Sequence, residues 1–156
     1  MFERQAWMHR AGEYPRSDRE YFGLLARAVF SAGLGPKVVE SRWDDMEAAF
    51  HGFEPVEVGK MEEPDVGRLV SDPKVIRNRR KIEAVIKNAG VFLDRIEEHQ
   101  SFHAYLGELG AGSDLESAAE ALARNFAHLG RTSALFFLFS AGWRSYEPNE
   151  ALASVV

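Results

Sequence analysis

Ala127-His128-Leu129-Gly130-Arg131-Thr132-Ser133-Ala134 separates two helix-forming stretches, and its reading decides the fold. Before it, Ser117-Ala118-Ala119-Glu120 has the form of a capping box, in which hydroxyl and carboxylate satisfy each other's free backbone N–H groups. That box opens a helix through Leu122 and Phe126. After it, Leu135, Phe136, Leu138, Phe139 and Ala141 mark a strongly apolar helix. A helix, a tight turn built on Gly130 and a second helix opening on small hydroxyl residues form a helix-hairpin-helix pattern over about 117–142. Such a hairpin turns the N–H groups after the glycine outward, at the positive end of a helix dipole. A phosphate binds there without a large basic patch. Gly130, Arg131, Thr132 and Ser133 are the phosphate contacts this pattern predicts. An ordinary pair of packed helices with a glycine turn produces the same pattern.

Outward from the hairpin, the chain reads as helical throughout. Ser17-Asp18-Arg19-Glu20 is a second capping box, and Tyr21, Phe22, Leu25, Ala28, Val29 and Ala32 follow at three- and four-residue spacing up to Gly33. Gly35-Pro36 opens a helix whose inner face carries Val39, Trp43, Met46 and Phe50. Short helices are predicted near Pro55 to Met61 and Pro64 to Val70, a long one from Arg79 to His99, and a shorter one from Phe102 to Leu109. No stretch alternates with period two for long enough to require a strand. The predicted class is all-α, a helical bundle in one domain over 1–156.

The chain has 156 residues, 46% of them hydrophobic, enough for one core and too few for two comfortable domains. Charged residues make up 28%, which excludes a disordered tail and a membrane span. With no cysteine, disulfides, thiolate zinc sites and cysteine nucleophiles are excluded together. His9, His51, His99, His103 and His128 show no metal spacing, and no nucleotide loop or nucleophile elbow occurs. No cofactor and no metal are expected, and the default location is cytoplasmic, since the first residues carry charges where a secretory signal has an apolar core.

The formal charge of −5 argues against a protein that coats nucleic acid non-specifically. Its distribution is uneven: acids dominate from Glu40 to Asp72, and Lys74, Arg77, Arg79, Arg80, Lys81 and Lys87 follow. A local basic patch on an acidic chain suits contact with a short piece of backbone, with Arg79 and Lys81 as the candidates. Equally, these charges can pair with the acidic segment that precedes them.

Taken in order, Phe30-Ser31-Ala32-Gly33-Leu34, the run from Phe50 to Val58, the run from Val75 to Ile82 continuing to Asn88-Ala89, and the hairpin to Gly142 give the chain a family likeness. It resembles the DNA-3-methyladenine glycosylase I family, within the helix-hairpin-helix glycosylase superfamily, over about 17–142. The resemblance implies a cleft between two helical lobes. It also implies a base-excision repair activity: a damaged, alkylated purine is flipped out of double-stranded DNA and its glycosidic bond hydrolysed. The implied partner is duplex DNA with a damaged base, without a membrane. A pocket for a cationic base needs aromatic faces and a carboxylate.

The sequence departs from the family pattern at that pocket. Ala28 stands where the resemblance implies a glutamate, and Pro36 where it implies a pocket tryptophan. The family's zinc clasp of two Cys and two His cannot form; His9 lies near one clasp position as a lone histidine. Phe30, Trp43, Trp7 and Tyr14 are the candidate base-pocket aromatics, and Glu147, after the hairpin's second helix, is the candidate catalytic carboxylate. Two functions follow: a glycosylase acting on a 3-methyladenine-like purine, or a DNA-binding module that keeps the fold without catalysis.

Overall fold

A computed structural model describes residues 2–144. Helix α1 (Asp18–Ser31) starts where Ser17 Oγ accepts a hydrogen bond from the Glu20 N–H at 3.1 Å. The return bond reaches one residue further back than a capping box requires, with Glu20 Oε2 accepting from the Arg16 N–H at 3.1 Å. After α1 come α2 (Pro36–Ala49), a single 3-10 turn (His51–Phe53), α3 (Pro55–Gly59), α4 (Glu63–Val70), α5 (Arg79–His99), α6 (Phe102–Glu108), α7 (Leu115–Asn125) and α8 (Arg131–Ser140). Among the described residues every regular element is helical, as predicted.

Helix α7 begins before the Ser117 box. Asp114 is its cap, accepting from the Ser117 N–H at 3.2 Å and from Ser117 Oγ at 2.7 Å. A carboxylate at that position both takes the free N–H and complements the dipole, so it displaces the serine as cap.

α1 lies at the centre, in contact with α2, α5, α6 and α8. Leu25 to Phe30 are all buried, so this part of the helix is covered on every side. Its last carbonyls are satisfied from α5, where the Lys81 ammonium donates to Phe30 O at 3.1 Å and also to Ala32 O. Lys81 is only 6% exposed, and burial holds its pKa below the ordinary lysine value. The expectation that Lys81 meets DNA is therefore corrected: its charge sits inside, at the negative end of α1.

Asn88, on α5, clamps the turn between α7 and α8. Its Oδ1 accepts from the Ala127 N–H at 2.7 Å and its Nδ2 donates to Ala127 O at 3.0 Å. The left-handed residue of this turn is His128 (φ 57°), whereas Gly130 has φ −80°. The turn therefore does not depend on the conformational freedom of Gly130.

The segment before α1 runs along the far end of α8. His9 N–H donates to Ser140 O at 2.8 Å, Gly12 N–H to Gly142 O at 2.9 Å, and Arg144 Nη2 to His9 O at 2.8 Å. Gly142 takes φ 87°, and a Cβ there would lie 2.7 Å from Arg10 O and 3.0 Å from Glu13 O. Backbone pairing thus joins two distant parts of the chain where the resemblance implies a zinc clasp. Among the described residues no cluster of His, Asp and Glu could hold a metal, and no helix is long and apolar enough to cross a membrane.

Candidate functional site

Four pieces enclose a cleft of about 270 Å³: the second half of α1, the loop to α2, the start of α8 and the segment before α1. That is smaller than the roughly 300–1,000 Å³ of drug-sized ligand sites and suits one planar ring system. Ala28, Ser31 and Ala32 share a helical face of α1, and their small side chains leave the space open. Trp7 and Phe136 supply aromatic walls, Pro36 closes one side, and Thr132 and Ser133 reach in from α8. No Asp or Glu is among the described residues that line it.

Arg27 is the charged group of the cleft. It is 6% exposed, with its guanidinium carbon 3.7 Å from the Trp7 ring centre and 5.2 Å from that of Trp43. Each such contact contributes about 0.5–2 kcal/mol, more as water is excluded. Its Nε is buried without a hydrogen-bond partner. Burial lowers the pKa of this group, while Glu40 and Glu47 of α2 pull it back up from a distance. Sequence reasoning missed Arg27. Its signal was a lone charge inside the otherwise apolar run from Leu24 to Phe30.

Beside the arginine stands the N-terminus of α8. Gly130 is its cap residue and supplies no side chain, so the first-turn N–H groups have no internal acceptor. This end of α8 carries the positive pole of the helix dipole. Arg131 is exposed but turned back to α7, where it pairs with Glu116 and lies 4.0 Å from Glu120.

The remaining expected site residues are scattered. Trp43 is buried, stacks on Phe53 at 5.1 Å and does not line this cleft; with Trp7 and Arg27 it lines a second recess that Glu20 and Glu47 also border. Phe30 does not reach the cleft at all. It is fully buried against Phe50 and Trp43, because two helical positions beyond Ala28 the side chain points to the opposite face of α1. Tyr14 packs on His103 and Trp143 at ring distances of 4.8 and 4.4 Å and lines a different recess. Arg79 is exposed and pairs with Glu63 at 2.7 Å, the acidic-segment partner that the charge pattern allowed. His9 Nδ1 contacts Glu13 O at 2.9 Å and has no metal-binding company among the described residues. Glu147 lies outside the described residues.

The sequence pattern of the methyladenine glycosylase family matches residues 5–136. A DNA-3-methyladenine glycosylase 1 of Escherichia coli is 37% identical over 89 residues, 56% of this chain and 48% of that protein. The match thus spans about half the length of this curated relative. The structure of 3-methyladenine DNA glycosylase I from Staphylococcus aureus superimposes with a TM-score of 0.77 at 25% identity, covering 88% of this chain and 82% of that one. A solution structure of a 3-methyladenine DNA glycosylase I gives 0.68 at 29% identity, over 83% and 80%.

Proposed function

The chain belongs to the methyladenine glycosylase family, and we propose that it is a DNA N-glycosylase that releases an alkylated purine from double-stranded DNA. The observation that carries this conclusion is the adjacency of a one-ring-system cleft and an uncapped helix N-terminus. A phosphate held by the first-turn N–H groups of α8 fixes the backbone, with Gly130, Thr132 and Ser133 as its contacts. Arg131 joins them once it leaves Glu116. The nucleotide beside that phosphate then rotates out of the stack, and its base enters the cleft along Trp7. The glycosidic bond cannot be attacked while the base is stacked, which is why binding and flipping precede chemistry.

In the hydrolysis, water adds to the anomeric carbon as the base leaves with the bonding electron pair. Alkylation of a purine ring nitrogen puts positive charge on the leaving group, so 3-methyladenine departs with little acid catalysis. A carboxylate near the sugar stabilises the oxocarbenium-like centre, and Glu147 is the candidate for that role. The second conclusion, a binding module without catalysis, is favoured by Ala28 and by a described cleft lining without any acid.

Release of free 3-methyladenine from methylated duplex DNA tests the first conclusion. The expected result is release by the wild type and loss of release in Glu147→Gln with DNA binding retained. DNA binding without release of any base supports the binding module, and absence of both retires the nucleic-acid reading.

A further inference from the structure

Cations in the first turn of a helix oppose its dipole, yet α5 opens with three in a row, Arg79, Arg80 and Lys81, and no acid. Two of them have structural partners: Arg79 pairs with Glu63 at 2.7 Å, and Lys81 donates to the carbonyls that end α1. Arg80 is exposed, and its guanidinium makes no ion pair or hydrogen bond among the described residues. Further along α5, Lys87 is exposed and unpartnered in the same way. A seven-residue step is close to two full turns, so both side chains lie on one row, about 10.5 Å apart along the axis. Glu83, the acid beside this row, lies 4.0 Å from Arg79. Toward the far end of α5 the row turns acidic at Asp94 and Glu98, so its free cations are gathered at one end.

That end lies at the border of the cleft, and each cation stands one residue before an anchor. Lys81 reaches Ala32 O, at the end of α1 and on the cleft wall. Asn88 holds the N–H and O of Ala127, just ahead of the Gly130 cap of α8. The stretch 81–88 thus spans the edge between the end of α1 and the turn that opens α8. We propose that Arg80 and Lys87 form a second contact with the DNA backbone, holding phosphates beside the one taken by the start of α8. This rests on the DNA-binding reading above and extends its surface onto α5. The spacing of the two cations is the rise of about three base pairs, so they meet separate phosphates. One phosphate at α8 fixes a point on the duplex; further contacts along α5 fix its direction and aim the flipped nucleotide at the cleft. Such contacts position the backbone without reading sequence, which suits a protein that must meet a damaged base anywhere. The stability that Arg80 costs its helix is offset by no contact within the fold, as expected of a charge retained for a partner.

Anisotropy titrations of an undamaged duplex at a series of KCl concentrations test this without catalysis. Arg80→Gln and Lys87→Gln are each expected to weaken binding at low salt and to make the slope of log affinity against log salt shallower by about 0.9, and the double variant by about 1.8. The loss should be the same whatever the sequence of the duplex. Arg79→Gln, one residue away but already engaged by Glu63, should leave the slope unchanged. Because Arg80 opposes the dipole of α5, Arg80→Gln should unfold in urea at a midpoint no lower than that of the wild type, which separates a lost contact from a lost fold. In release of 3-methyladenine, the double variant should raise KM and keep kcat. Wild-type slopes in both single variants overturn the proposal and leave the DNA-binding reading intact. An equal change in Arg79→Gln also overturns it, since overall charge would then account for the effect. A wild type that binds no duplex at low salt overturns it together with the nucleic-acid reading. Shallower slopes without release of any base sustain the contact and overturn the glycosylase reading instead.

Discussion

At its C-terminal end α8 is tied down: the His9 N–H meets Ser140 O at 2.8 Å, the Gly12 N–H meets Gly142 O at 2.9 Å, and Arg144 stacks 4.0 Å above Phe139. At its N-terminal end Gly130 offers no side chain, and Arg27 stands near with an unpaired nitrogen. Ten residues separate a terminus paired with the segment before α1 from one whose cap residue offers no side chain. The open end, with the Arg27 Nε near it, is the one proposed above to hold a phosphate. The paired end joins the segment before α1 to α8.

That contrast breaks if the two ends respond alike to substitution. Gly142→Ala has the largest expected effect. The added methyl meets two carbonyl oxygens in a left-handed backbone, and unfolding in urea should show a loss of about 3 kcal/mol. A loss below about 1 kcal/mol would remove the distinction between the ends. Gly130→Glu reverses the pattern. A Cβ at Gly130 has nothing within 4 Å and its φ is ordinary, so stability should stay within about 0.5 kcal/mol. Affinity for duplex DNA should fall by about tenfold or more, because the carboxylate occupies the phosphate position. Unchanged affinity in a gel-shift or anisotropy titration would refute the assignment of α8 as the phosphate site.

The smallest effect comes from acid. Hydrogen bonds from the Ser117 hydroxyl and then its backbone N–H hold the Asp114 carboxyl below its ordinary pKa. At Asp65 the Glu62 N–H and then Arg68 do the same. A depressed folded pKa means that these caps contribute fully above the ordinary carboxylate value and lose their contribution as pH falls through the folded value. Hydrogen exchange should therefore show the starts of α7 and α4 loosening in acid, while the start of α8, which has no carboxylate cap, does not respond. Equal loosening at all three would show that the start of α8 depends on its Arg131–Glu116 pair as the others depend on their caps.

Much of the fold was legible because helical periodicity and caps are local. Ser17 and Pro36 mark the starts of α1 and α2, and Arg79 and His99 bound α5 as the apolar spacing implies. The Ser117 box misplaced a boundary by three residues, because Asp114 was the stronger competitor for the same N–H. The site was less legible, since period tells which residues share a face and not what that face meets. Phe30 sits one turn of reasoning from the cleft and on the wrong side of its helix. Lys81 looked like surface charge in a basic run, yet it reaches across to the end of α1. Arg27 escaped notice because burial of a guanidinium depends on two tryptophans that lie 20 residues before it and 16 after it in sequence.

The basic segment has a further consequence for ions in solution. Arg79 and Arg131 already hold carboxylates, and Lys81 holds carbonyls, so these three positions have few free counterions to surrender. Each phosphate neutralised by a side-chain cation contributes about −0.9 to the slope of log affinity against log salt. On the proposed grip by main-chain N–H groups, these three positions add little to the ions a duplex would release, so their share of the salt dependence is expected to be small.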